Sequence, residues 1–247
     1  MKRIKPTEKR TGKKLGLRYW LGLFILLLVL HCFPVRFGLL RLFLVGGAVT
    51  LWGGALWLIG KRPLIQGTLL AVSIGFVAFC LWPSRAPDPQ ALRQDYVRAL
   101  KSYNNTTYIW GGENKLGIDC SGLIRCALVD ANVTYSLTQA NPAALREGLW
   151  LWWHDCSANA LKEQYQGKTR PLFAARAINK IDPAALQPGD MAVTADGLHV
   201  LAYLGEQTWI EADPTVSRLG RVIQVTTPTT NGWFDRSVHL MRWRQLE

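Results

Sequence analysis

One cysteine of this chain stands where covalent chemistry is favoured. In Gly117-Ile118-Asp119-Cys120-Ser121-Gly122-Leu123, Asp119 and Ser121 are good helix N-cap formers, and Leu123, Ile124, Ala127 and Leu128 then fall on one helical face. Cys120 is thereby placed in the first turn of a buried helix. Unpaired backbone N–H groups and the positive end of the helix dipole favour the thiolate there, the form that attacks a carbonyl carbon. A small buried cysteine is the other role open to such a residue. Cys126, at mid-helix, fits that role, as do Cys32 and Cys80 in apolar runs. Further along, Leu186-Gln187-Pro188-Gly189-Asp190 is a turn leading into a strand, and Gly197-Leu198-His199-Val200-Leu201-Ala202-Tyr203-Leu204-Gly205 is a second strand that begins with a histidine.

The elements that carry these residues occupy only part of the 247-residue chain. Residues 1–83 hold 12 Lys or Arg against a single acid, Glu8, whereas residues 84–247 hold 17 against 16 acids. The alkaline balance therefore belongs to the first third, which argues against nucleic acid as a partner of the nearly neutral remainder. Five cysteines without CxxC spacing suggest neither a disulfide framework nor a zinc cluster.

The first third reads as membrane. A basic leader, residues 1–18 with Lys2, Arg3, Lys5, Lys9, Arg10, Lys13, Lys14 and Arg18, precedes three transmembrane helices within residues 19–83: a short span over Tyr19–Phe33, then Leu42–Gly60 and Leu64–Trp82, each uncharged. Gly46, Gly47, Gly53 and Gly54 suit close helix packing in lipid. A leader of this kind also fits a cleaved signal peptide, but no small-x-small site follows it, and His31 precedes Cys32 where a lipoprotein signal needs a small residue. With three spans, ten basic residues lie on the side of the leader and only Arg36 and Arg41 on the other, which puts the leader in the cytoplasm and the C-terminal domain outside it. Were the first segment a surface helix, the domain would face the cytoplasm. The lipid bilayer is thus an expected partner through residues 19–83.

Pro83, Pro87 and Pro89 make residues 84–90 a linker, and a domain over 91–247 follows, opening with a helix over Ala91–Ser102. Its motifs, in order, are Tyr108-Ile109-Trp110-Gly111-Gly112, then Asp119-Cys120-Ser121-Gly122-Leu123, then Leu186-Gln187-Pro188-Gly189-Asp190, then the strand carrying His199. Together they resemble the NlpC/P60 family of papain-like cysteine peptidases over roughly residues 90–245. The resemblance implies an α+β fold, with the cysteine-bearing helix packed on an antiparallel sheet. It implies Cys120 as nucleophile and His199 as general base of an acyl-enzyme mechanism that needs no cofactor and no metal. It further implies an oxyanion held by the Cys120 N–H and a nearby donor, for which Tyr108 is the candidate, and a pocket for the peptide's free amino end lined by Asp119 and Ser121, each of which is equally a helix cap.

Twelve residues beyond the base, where the family usually has His, Asn or Gln, this chain has Glu211. A hairpin of residues 199–204 and 207–213 around a three-residue loop centred on Gly205 would make His199 and Glu211 cross-strand partners. Asp213, on the same face, is the reserve, and a solvent-facing strand acid is the alternative for Glu211. The 79-residue separation of Cys120 and His199 exceeds what the compact members of the family need, placing an insertion near residues 132–181. Its Leu149-Trp150-Leu151-Trp152-Trp153 run suits a lid, a membrane-docked surface or core packing, and His154 with Cys156 could form a second nucleophilic pair. Val222–Val225 and Val238–Trp243 read as closing strands.

These features imply a membrane-anchored cysteine endopeptidase of the bacterial cell membrane, its domain on the periplasmic or extracellular side, with peptidoglycan stem peptides as substrate and the bond between γ-D-glutamyl and a diamino acid as the family's usual target. The alternatives are an amidase, transpeptidase or lipid acyltransferase using the same pair, or an inactive wall-binding module. Protein partners are not legible.

Overall fold

A computed structural model describes residues 6–60 and 62–247, with side chains from residue 14 onward. Lys2, Arg3 and Lys5 of the leader and Lys61 lie outside the described residues. The chain divides into two units, the boundary falling between Leu81 and Trp82.

The first unit is three helices, α1 (Pro6–Cys32), α2 (Gly38–Ile59) and α3 (Pro63–Leu81). Within them Lys14–Cys32, Gly38–Ile59 and Pro63–Leu81, of 19, 22 and 19 residues, are long and apolar enough to cross a membrane. Their large apolar side chains point outward, Phe43, Leu64, Ile74 and Phe76 among them, the reverse of a water-soluble bundle. Residues 6–18 of the basic leader are continuous with the first apolar run in a single helix, because no Gly-Pro or turn signal separates them. Gly47 and Gly54 pack against Leu27 and Trp20 of α1 so closely that a Cβ would come within 2.6 and 2.8 Å of those side chains. Gly46 and Gly53 face open space.

The second unit begins with an extended stretch that ends at Asp88, whose carboxylate accepts from Ala91 N at 2.8 Å and starts α4 (Pro89–Ser102). A short hairpin, β1 (Glu113–Asn114) and β2 (Gly117–Ile118), leads into α5 (Cys120–Gln139). Then come α6 (Pro142–Trp153), α7 (Ala158–Lys162), β3 (Thr169–Ala175), β4 (Met191–Thr194), β5 (Val200–Gly205), β6 (Thr208–Asp213), β7 (Arg221–Thr226) and β8 (Val238–Trp243). The last six strands form one antiparallel sheet in the order β3-β8-β4-β5-β6-β7. This is the α+β arrangement anticipated, helices on a six-stranded sheet. Alternation along the strands divides the apolar side chains between two cores. Val193, Ala202, Ile210 and Ala212 meet Leu92, Tyr96, Leu123 and Ala127 of the helices, while Ala192, Leu201, Tyr203 and Trp209 face the other way onto Phe234 and Leu240.

The segment between α5 and β4 is woven into the fold. It supplies α6, α7 and the edge strand β3, which pairs with β8 and carries a bulge between Pro171 and Phe173. Trp150 packs against the helix-side core, with Lys168 Nζ 4.3 Å from its ring, while Leu149 and Trp153 point outward. Of the β5–β6 hairpin, the turn is Glu206-Gln207, both at positive φ (50° and 59°), and Ala202 pairs with Ile210 and Tyr203 with Trp209. The register thus stands two residues from the one expected, with a bulge at Leu204, and continuing it sets Leu201 opposite Glu211. A slip of two keeps every side chain on its face, whereas a slip of one would have turned Glu211 away.

Candidate active site

The nucleophile side is built locally. Asp119 Oδ1 accepts from Gly122 N at 2.6 Å and from Ser121 Oγ at 3.1 Å, capping α5, while Oδ2 accepts from Gly111 N at 2.8 Å. One carboxylate therefore ties the start of the helix to the Gly111-Gly112 turn. The two backbones touch: a Cβ on Gly122 would lie 2.3 Å from Gly112 O, so only glycine fits. One turn further, buried Arg125 ion-pairs with Glu113 of β1 and donates from Nη1 to Leu151 O at 2.8 Å, fixing α5 against β1 and α6. Cys120 emerges from this frame 7% exposed.

The base side is assembled from afar. His199 N donates to Thr194 Oγ1 at 3.0 Å, setting the residue at the mouth of β5. Its ring, 2% exposed, meets Glu211 Oε2 through Nε2 at 2.7 Å, and the Cys120 thiol lies near enough to act on its charge. With Nε2 engaged, Nδ1 is the ring nitrogen left for the thiol. The indole of Trp233 stacks on the imidazole, centroids 4.2 Å apart. Glu211 is fully buried, which excludes the solvent-facing alternative, and Asn231 Nδ2 donates to its Oε1 at 2.8 Å. Asp213 accepts instead from Thr215, Asn231 and Trp233.

Burial alone would push His199 down, but the hydrogen bonds and negative charges of Cys120 and Glu211 outweigh it and lift the imidazole to about 9. Burial also raises Glu211, against the pull of His199, with Asp213 adding to the rise. Asp213 is lowered despite its burial by the donors around it. Tyr108 comes close to the same centre: burial, then the neighbouring Cys120 and Asp119, push its phenol up to about 12. A thiol, an imidazole held protonated near neutral pH and a buried carboxylate in one chain of contacts can maintain a thiolate–imidazolium pair, the starting state for attack on an acyl carbon.

The sequence motifs thus converge on one place, bringing Cys120, His199, Glu211, Tyr108, Asp119 and Ser121 together. His154 and Cys156 do not form a pair of their own. His154 Nδ1 contacts Trp150 O at 2.8 Å, Cys156 Sγ approaches Ser121 O, and burial pushes the Cys156 thiol up more than Arg125 lowers it. Asn231 and Trp233 were not legible beforehand, since Asn-Gly-Trp after Pro228 reads only as a loop. Among the described residues no group of three or more His, Cys, Asp or Glu could hold a metal ion.

A model of the NlpC/P60 family matches residues 105–242. Among solved structures, the chain is similar to an NlpC/P60 family protein from Bacillus cereus ATCC 10987 (17% identity, TM-score 0.39, 64% of this chain and 41% of that one). It is similar to NlpC1 from Trichomonas vaginalis (16%, TM-score 0.40, 66% and 48%), and to the NlpC/p60 domain of the peptidoglycan hydrolase SagA (19%, TM-score 0.34, 62% and 98%). The match spans less than half the length of the first two. Comparison with curated proteins found no match.

Proposed function

The chain belongs to the NlpC/P60 family, typically peptidoglycan hydrolases of the cell wall, and from that premise we propose that it is a membrane-anchored cysteine endopeptidase cleaving peptidoglycan stem peptides, with Cys120 as nucleophile, His199 as general base and Glu211 as the third member. The observation that carries this reading is the His199 ring bonded to a fully buried carboxylate, with the Cys120 thiol at a helix start acting on the same imidazole. His199 takes the thiol proton, the thiolate adds to the peptide carbonyl, and the imidazolium protonates the leaving amine. Water then hydrolyses the thioester, with His199 now accepting its proton. Glu211 orients the ring and favours its charged form; Tyr108 and the Cys120 N–H are assigned to the oxyanion, and Asp119 and Ser121 to the peptide's amino end. The scissile bond is assigned, as is usual in the family, to that between γ-D-glutamyl and a diamino acid.

The leader, residues 1–18, is assigned to the cytoplasm, residues 19–83 to the bilayer, and 91–247, after the linker 84–90, to the periplasmic or extracellular side of a bacterial cell membrane, where the wall lies. The test is to incubate the full chain, in nanodiscs, with purified peptidoglycan and identify released fragments by mass. Peptides cut within the stem, absent with Cys120→Ala, are the expected result. A reporter active only outside the cytoplasm, fused after Glu247, should work, and one active only in the cytoplasm should not. Transfer of acyl groups to or from lipid is a second reading, favoured by the exposed Trp110, Leu198 and Leu219, which flank residues of the site. Lipid turnover with intact stem peptides would select it.

A further inference from the structure

We propose that Asn231 and Trp233, in the turn before β8, are positioning residues that hold the His199–Glu211 pair in its working state: Asn231 fixes Glu211 as an ionised, histidine-facing carboxylate beside a second acid, and Trp233 fixes the plane of the imidazole. The inference rests on the assignment of Cys120, His199 and Glu211 made above.

Glu211 and Asp213 lie two residues apart on one strand, so their side chains share a face, and both are almost wholly buried. Two acids so placed compete for a proton, and a protonated Glu211 could no longer support the imidazolium. A single neutral donor bridges them. Asn231 Nδ2 lies 2.8 Å from Glu211 Oε1 and 3.2 Å from Asp213 Oδ2. With Oε1 held there, Oε2 is left to meet His199 at 2.7 Å. Asn231 is itself anchored, its N donating to Thr229 Oγ1 at 3.2 Å and its Oδ1 accepting from Trp233 N at 3.0 Å. The same Trp233 stacks on His199 and reaches Asp213 Oδ1 through Nε1 at 3.4 Å. The contacts therefore close a circuit: His199, Glu211, Asn231, Trp233 and back to His199.

Other charges face this circuit from every side. Cys120 approaches from α5, Arg221 stands opposite Asp213 on β7, and Arg236 lies over the Trp233 ring, 4.7 Å from its centroid, while pairing with Asp196 at 3.1 Å. Burial raises Glu211 and Asp213 adds to the rise, while the bonds from His199 and Asn231 oppose it. The sign of each substitution follows. Asn231→Ala removes a donor that favours the carboxylate, Asn231→Asp also adds a negative charge, and Asp213→Asn removes one.

The experiment measures the rate of Cys120 alkylation by iodoacetamide against pH in the full chain in nanodiscs, with the labelled site identified by mass, beside stem-peptide cleavage over the same range. Asn231→Ala should move the acid limb of both profiles up by about one pH unit. Asn231→Asp should move it further, Asp213→Asn should move it down, and adding Asp213→Asn to Asn231→Ala should bring it back towards the wild-type position. Trp233→Ala should slow alkylation about tenfold, with Trp233→Phe recovering most of the loss because a ring still covers the imidazole. Profiles that fall in height without moving would overturn the role of Asn231, and equal losses in the two Trp233 variants would overturn that of Trp233. Should Asn231→Ala fail to fold, the downward shift of Asp213→Asn decides alone. A wild type that alkylates as described yet releases no stem peptide strikes the substrate and leaves this assignment standing.

Discussion

Cys120 is placed by its neighbours in sequence, whereas His199 is placed by residues that the sheet gathers from three separate stretches. On the nucleophile side, Asp119, Ser121 and Gly122 surround the cysteine, and the partner turn at Gly111-Gly112 lies only eight residues from Asp119. On the base side, Thr194 comes from β4, Glu211 from β6, and Asn231 and Trp233 from the turn before β8. The lesson is about what damage each side tolerates. A locally wound helix start can lose a cap and still present its thiol, because the rest of the helix is packed on both cores' shared sheet. The imidazole keeps its orientation and charge only while several separate elements remain in register.

That contrast can be broken most severely at the point where the two sides meet. Cys120→Ala is expected to reduce stem-peptide cleavage by about 10⁴-fold or more while leaving the unfolding temperature close to wild type. In the wild-type domain Cys120 should be alkylated well ahead of Cys126 and Cys156 at neutral pH, because burial holds the Cys156 thiol protonated although the residue as a whole is only half-buried. Equal labelling of Cys120 and Cys156 would remove the distinction between a helix-start thiol and an ordinary one.

Next in size comes Glu211. Glu211→Ala strips both charge and orientation from the ring and should lower cleavage on the order of a hundredfold, whereas Glu211→Gln keeps an acceptor and should cost about tenfold. Asp213→Ala should cost less than either, since Asp213 does not touch the imidazole in this structure. The reverse order would transfer the supporting role to Asp213.

The base side should also write itself into the pH dependence of stability. His199 is raised from 6.5 to about 9, so the folded state binds its proton more tightly than the unfolded chain does. The stabilisation, on the order of 3 kcal/mol, is full below pH 6.5 and is lost as pH rises through 9. Urea unfolding between pH 6 and 10 should show this decline, and Cys120→Ala or Glu211→Gln should flatten it. A wild-type curve already flat across that window would mean the imidazole is neutral in the folded protein.

The smallest effect belongs to the local side. Asp119→Ala removes the cap of α5 and the bond to Gly111 N, and should destabilise the domain by about 1–2 kcal/mol, with Asp119→Asn recovering part of that. Thermal unfolding checks it. A loss of cleavage far larger than the stability change would point instead to contact between Asp119 and the peptide.

How far the sequence disclosed this arrangement follows the same division. The cap, the helix and the Gly-Gly turn are written in adjacent residues, so their physics is readable in one dimension. Glu211 was reachable because period-two alternation survives a register two residues from the one expected, though the Glu206-Gln207 turn and the bulge at Leu204 were not foreseen. Asn231 and Trp233 were invisible: nothing in their own stretch marks them, and only the return of the chain after β7 carries them over the His199 ring.

The bulged edge strand β3 has a consequence for how copies of this protein coexist. A sheet whose outermost strand offers a row of free N–H and C=O groups invites a second sheet to extend it. Proline at 171 has no N–H to offer, and the irregularity between Pro171 and Phe173 breaks the even spacing that a visiting strand would need. Copies held at high local concentration would meet edge to edge far more often than dilute ones. Replacing Pro171 by Val or Thr would mend that edge, and the cost would appear as self-association, even where the fold and the distant thiol are untouched.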